Sequence, residues 1–221
     1  MKHAILFGAS GFIGSYLLNQ LLNSPDYSQV TIVVRRDLTI HHPKLITLIG
    51  DYNRLPALKE HINGDEVFIA LGTTKKNTPD QDEYYQVDHD YPVLAASIAK
   101  ENGAKSVFLV SAVGANTDSK IFYIKTKGET ERDIIALSFD HTHIFRPSML
   151  LGNRKENRPL EKIFIKLWTV INPLLVGRYL NKYRGISGKD VARAMINSAK
   201  NQSEKVKIYH WKEMTGLSGL S

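Results

Sequence analysis

In the stretch KIFYIKTKGETERDIIAL, residues 120 to 137, Tyr123 and Lys127 stand four positions apart. On a helix that spacing puts both side chains on one face, one turn from each other. A phenol is a poor proton carrier at neutral pH because its pKa is near 10. An ammonium beside it stabilises phenolate and brings proton transfer toward the working range. The pattern alone is weak evidence. With 10 Tyr and 19 Lys in 221 residues, chance yields about one such match. A half-buried aromatic beside a solvated lysine would read the same way, so the neighbourhood must decide.

A second cluster lies at the start of the chain. Directly after the apolar run HAILFG comes GASGFIG, with Gly8, Gly11 and Gly14 at G-x-x-G-x-x-G spacing. A strand that turns sharply into a helix can present free N–H groups and a positive helix end to a diphosphate. Glycines keep side chains out of that approach. Ser10 adds a hydroxyl donor. About twenty residues on, a site for NAD is expected to carry an acid for the ribose 2′-hydroxyl. VVRR stands there instead, and the guanidinium groups of Arg35 and Arg36 suit the 2′-phosphate of NADP. The alternative is a solvated charge pair at a strand end, and the neighbouring Asp37 keeps NAD as the second choice.

These residues need a frame. Apolar, β-rich runs alternate with helical patterns: strands over 3–8, 30–36, 45–50, 66–71, 106–112 and 141–147, and a last strand at KVKIYHW. Helices are predicted through GSYLLNQLLN, YPVLAASIAKENG, the Tyr123 segment and DVARAMINSAKN. Near-continuous apolar strands separated by helices imply a parallel sheet covered on both faces. The expected fold is therefore a doubly wound, Rossmann-type α/β domain spanning residues 1–221. Residues 151 to 187 interrupt the alternation and are the expected substrate-covering region. The end, TGLSGLS, reads as loosely ordered.

Composition removes several classes. There are no cysteines, which excludes disulfides, thiol catalysis and thiolate metal sites. Net charge is +7, but the bases are interleaved with acids, as in KGETERD. That argues for anionic small molecules over nucleic acid. The apolar segment 163 to 177 contains Lys166 and Pro173 and falls short of the ~18 uninterrupted apolar residues of a spanning helix. No signal peptide is expected, since glycines break the first apolar run. His41–His42 and His141-Thr142-His143 lack further ligands at metal spacing, so they read as packed or surface histidines and no metal is expected.

With these pieces in order the chain resembles the short-chain dehydrogenase/reductase superfamily in its extended or atypical branch. The resemblance runs over nearly the whole length. It is sharpest in LGTTKK, YQVDHDYP, YIKTKGETE and FRPSMLLGNRKENRP, which are similar to the group of Tat-interacting oxidoreductase-type tumour suppressors and their microbial relatives. The resemblance implies a Rossmann-type domain that binds NADP(H). Its diphosphate turn would comprise Gly8, Ser10, Gly11, Phe12, Ile13 and Gly14. Arg35, Arg36 and Asp51 would line the adenosine end; Leu71, Gly72 and Thr73, at the end of the fourth strand, would contact the cofactor; Pro147, Ser148 and Met149 would approach the nicotinamide.

The same resemblance implies a catalytic set of Ser111, Tyr123 and Lys127. Tyr123 would carry the proton, Lys127 would also hold the nicotinamide ribose, and Ser111 would orient the substrate oxygen. The expected activity is hydride transfer to or from a small carbonyl or alcohol. A regulator that senses NADP(H) through a protein partner without turnover is the alternative. A nucleotide-sugar epimerase or dehydratase ranks third, because little chain is left for a sugar-nucleotide domain. A homodimer or protein partner is compatible with either leading reading, and the expected location is cytoplasmic.

Overall fold

The computed structural model describes residues 1–152 and 180–219. Seven parallel strands form one sheet: β1 (Lys2–Phe7), β2 (Tyr27–Val34), β3 (Leu45–Ile49), β4 (Glu66–Ile69), β5 (Ser106–Val110), β6 (His141–Phe145) and, from the end of the chain, β9 (Val206–Tyr209). Their order is β3-β2-β1-β4-β5-β6-β9. The order reverses beside β1, which is where a doubly wound sheet opens a crevice at its carboxyl edge.

Alternation along β1 explains the two cores. Ala4 and Leu6 face a cluster with Leu17, Leu18 and Leu21 of α1 (Phe12–Asn23) and Val191 and Met195 of α5 (Gly188–Ser198). Ile5 and Phe7 face Ala95, Ala96 and Ala99 of α3 (Tyr91–Glu101) and Ile134 of α4 (Phe122–Ala136). Successive side chains point to opposite faces, and each fully buried aliphatic contributes about 1.5–3 kcal/mol. This is why the strands read as unbroken apolar runs rather than alternating ones.

Three local features depart from the sequence expectation. A 3-10 segment, Tyr52–His61, follows β3. Before α3 lie a short helix, α2 (Gln81–Tyr85), and a π turn, Gln86–Asp90. Pro92 explains the π turn: it has no N–H to give the Asp88 carbonyl four residues back. The Thr130 hydroxyl of α4 supplies that hydrogen bond at 2.8 Å. Finally, much of TGLSGLS is ordered, because α6 (Trp211–Ser218) buries Met214 and ends at Gly219 with φ +75°.

The expected substrate-covering region lies largely outside the described residues, as does the apolar segment 163 to 177. What is described of it is a two-stranded pair, β7 (Leu150–Leu151) with β8 (Ile186–Ser187). Among the described residues no helix is long and apolar enough to cross a membrane.

Candidate functional site

The glycine turn is built as its spacing predicts. Gly8 ends β1 at φ +86°, and a Cβ there would stand 2.5 Å from the Ala70 carbonyl oxygen after β4. At Gly14 a Cβ would meet the Gly8 carbonyl, 2.7 Å from its carbon. These two residues let α1 press against the strand end. Gly11 caps α1 with no side-chain hydrogen bond, and no acid stands in the first turn. The first-turn amides and the positive helix end therefore suit an anion such as a diphosphate.

The other expected turn residues divide by role. Ser10 is exposed, while Ile13 is buried in the core. The Phe12 ring packs where Cβ atoms at Gly152 and Gly188 would fall and meets Tyr16 edge-on. It joins the turn to the β7–β8 region.

Arg35 and Arg36 are exposed just beyond β2. Asp51 accepts from the Arg54 amide at 2.9 Å and caps the 3-10 segment. Tyr52, next to it, stacks on Tyr91 at 5.0 Å. Burial pushes the Tyr52 phenol up to about 12 against the opposing pull of Arg35 and the Gly8 backbone, so this neutral ring belongs to the wall around the turn.

Beyond β4, Leu71 is buried, and Gly72 lies beside an ion pair that sequence reasoning missed. Lys127 Nζ meets Asp88 Oδ1 at 2.7 Å, with side-chain exposures of 7% and 1%. The Thr73 amide donates to Asp88 Oδ2, also at 2.7 Å. A Cβ on Gly72 would stand 3.4 Å from Asp88 Oδ1 and 3.7 Å from Lys127 Nζ. Asp88 thus uses one oxygen for the lysine and the other for the β4 exit, while the π turn fixes its backbone. The available sequence signal was Pro92, four residues on, inside a helical pattern.

Tyr123 lies one helical turn before Lys127 and is 41% exposed. Burial pulls the Lys127 ammonium down; Asp88, Tyr123 and Glu131 together overcome it, so the net direction is up. Tyr84 of α2 packs edge-on against Phe122 and feels both Asp88 and Tyr123. The structure thus brings Tyr123, Lys127, Asp88 and Tyr84 together.

Ser111 sits differently. It follows β5 as expected, but its hydroxyl is buried and donates to Glu131 Oε1. Glu131 also receives both arms of Arg146: Nε to Oε1 at 2.9 Å, and a terminal nitrogen to Oε2. Orienting a substrate oxygen would require the Ser111 proton to leave this carboxylate.

Beyond β6, the Pro147 carbonyl accepts from the Val113 amide at 3.0 Å. The Ser148 hydroxyl donates to the Tyr183 carbonyl at 2.9 Å, and the Met149 carbonyl accepts from Ile186 at 3.0 Å. This segment is pinned to residues 183–186. Of the histidines, His143 is buried, stacks on Phe108 and shares a 2.7 Å hydrogen bond with the Tyr209 hydroxyl, while His41 is exposed.

A sequence-family model described as NAD(P)H-binding matches residues 8–202. The chain belongs to the NAD(P)H-binding family. "Protein FMP52, mitochondrial" of Saccharomyces cerevisiae is 35% identical over 159 residues, covering 71% of this chain and 69% of that protein. "Protein HTATIP2" of Rattus norvegicus is 32% identical over 201 residues, covering 89% and 81%. The resemblance carried by the sequence strings is borne out.

Among solved structures, MoeE5 in complex with UDP-glucose and NAD matches at TM-score 0.68 and 19% identity, covering 99% of this chain and 81% of that one. A UDP-N-acetylglucosamine 4-epimerase from Methanobrevibacter ruminantium matches at TM-score 0.70 and 20% identity, covering 95% and 76%. At these identities the likeness establishes the Rossmann-like fold of this NAD(P)H-binding chain. The expected cytoplasmic location does not stand, because the FMP52 relatives are named as mitochondrial proteins.

Proposed function

We propose that this chain is an NADP(H)-dependent oxidoreductase that interconverts a small carbonyl compound and its alcohol. The observation that carries the reading is a half-exposed phenol, Tyr123, one turn from a buried lysine held charged by Asp88. The pair stands on the carboxyl side of the sheet that also bears the glycine turn. The first-turn amides of α1, with Gly8, Gly11 and Gly14, would hold the diphosphate. Arg35 and Arg36 would take the 2′-phosphate, and Leu71, Gly72, Thr73 and residues 147–149 would border the nicotinamide half. When bound, the nicotinamide supplies or accepts hydride. Tyr123 gives the substrate oxygen its proton or takes it back. Lys127 has three N–H donors; one is spent on Asp88, which leaves others for a ribose hydroxyl and the phenol oxygen.

Two measurements test this. In binding titrations NADPH is expected to bind at least about tenfold tighter than NADH, a gap of about 1.4 kcal/mol, and Arg35→Ala to narrow it. Equal affinities would remove the role of the arginines. With NADPH and a panel of small aldehydes and ketones, Tyr123→Phe is expected to lose about a hundredfold or more in rate. Undiminished turnover would refute the proton-transfer role.

The binding of Ser111 to Glu131 favours one other reading, a redox-sensing regulator acting through a protein partner. With that hydroxyl committed, one of three expected groups is withdrawn from chemistry. Tight NADPH binding with no turnover across the panel would select it.

A further inference from the structure

The oxidoreductase reading places a buried carboxylate, Asp88, where the proton pair alone would not need one, and the present inference rests on that reading. We infer that Asp88 is a positioning residue that holds the Tyr123–Lys127 pair in its fully protonated, proton-donating form, and so sets the site for reducing a carbonyl rather than oxidising an alcohol.

The argument is electrostatic. An ammonium facing a phenol with nothing else nearby pulls the phenol toward phenolate, which is the form that oxidises alcohols. Asp88 opposes this. Its carboxylate lies 2.7 Å from Lys127 Nζ at 1% side-chain exposure, where solvent screens little. An added negative charge makes the first proton harder to remove from the pair, whichever of the two groups gives it up. Among the described residues, the groups that act on the pair include Tyr84 from α2, Asp88 from the π turn and Glu131 from α4. Arg146 of the β6 exit neutralises Glu131 through a two-armed contact. Among the described residues, Asp88 is the carboxylate seen in direct contact with the lysine of the pair.

The anion is also held in place by more than the lysine. Thr73 donates its amide to the free carboxylate oxygen, and Thr130 donates to the Asp88 carbonyl. Those bonds tie it to the β4 exit and to α4, the two elements that border the pair. π turns of this kind recur at functional positions.

In the reducing direction a bound reduced nicotinamide would supply the hydride that the carbonyl carbon gains, and would itself be oxidised. The Tyr123 O–H bond breaks and its proton forms the O–H bond of the alcohol. The phenolate left behind regains a proton from water.

The test follows the phenolate absorbance of the whole chain against pH. Subtracting the titration of Tyr123→Phe isolates one phenol among 10 tyrosines. In the wild type the pair is expected to keep both protons through neutral pH. In Asp88→Asn the release is expected to fall by about 1 unit or more, with Asp88→Glu restoring it. The alkaline limb of the pH profile for carbonyl reduction is expected to move the same way.

A titration unmoved in Asp88→Asn while the enzyme reduces carbonyls overturns the assignment of Asp88 alone. A titration that moves in a protein with no carbonyl reduction supports the hold on the pair and fails the oxidoreductase reading instead. Should Asp88→Asn not fold, the wild-type titration decides: a first proton released below about pH 7 overturns the inference.

Discussion

Replacing Gly14 with alanine tests whether the glycine turn is shaped by close packing. In an exposed helix interior, Gly→Ala stabilises by about 0.8–1 kcal/mol, because alanine has less backbone freedom to lose. At Gly14 the sign should reverse. The added Cβ would stand 2.7 Å from the Gly8 carbonyl carbon and 3.2 Å from the Ala9 Cα. All of these are backbone atoms with no rotamer to yield. Relief requires α1 to withdraw from β1, loosening Leu17, Leu18 and Leu21, which are at most 2% exposed. Overpacking of this kind costs about 1–3 kcal/mol, and it must also cancel the propensity gain. The expected net is a loss of up to about 2 kcal/mol in urea unfolding, with weaker NADPH binding because the first-turn amides shift. Gly216→Ala is the internal control. Gly216 is exposed on α6 with nothing within 4 Å of its Cβ position, and should gain up to about 1 kcal/mol. A Gly14→Ala protein as stable as Gly216→Ala would refute the packing argument.

Two further outcomes follow from buried polar groups. Burial, then His141, pulls His143 down to about 4, so the unfolded chain takes up a proton that the folded chain refuses between about pH 6.5 and 4. Stability is thus fully present above about 6.5 and falls as pH drops through that window, by about 3 kcal/mol at 1.36 kcal/mol per unit; a gap between the urea midpoints at pH 7 and 5 that narrows after His143→Phe would check it, and an unchanged gap would refute it. Glu131→Gln leaves Arg146 without its carboxylate and one amide oxygen to serve both Arg146 and Ser111. It should cost about 3 kcal/mol, read by thermal unfolding; a loss below about 0.5 kcal/mol would show that the cluster is solvated in practice.

The fold was legible because its signal is local and repeated. The central strands are largely apolar runs in a sheet covered on both faces, and all seven strands appear within a few residues of their expected bounds. β2 starts three residues early, at Tyr27, because that ring is buried and its hydroxyl donates to Glu66 at 2.6 Å. The glycine turn was legible for a related reason. Steric exclusion acts on the residue itself, so the absence of a side chain is written in the sequence. The order of α6 was not legible, since a helix of only eight residues is stabilised by packing rather than propensity.

The same distinction explains why Asp88 escaped notice while Tyr123 and Lys127 did not. The tyrosine and lysine share one helix, and a spacing of four is enough to bring them together. Asp88 is brought to them from another element, 39 positions before Lys127, and nothing in the letters between reports the approach. Its one local trace is a proline that strips the Asp88 carbonyl of its helical donor, with Thr130 of the lysine's own helix repairing the loss. A hydrogen-bond deficit on one element filled by a side chain from another marks where the two elements are locked. Here the lock falls on the residue whose charge opposes Lys127, so the same contact that shapes the backbone holds the anion in place to tune the pair.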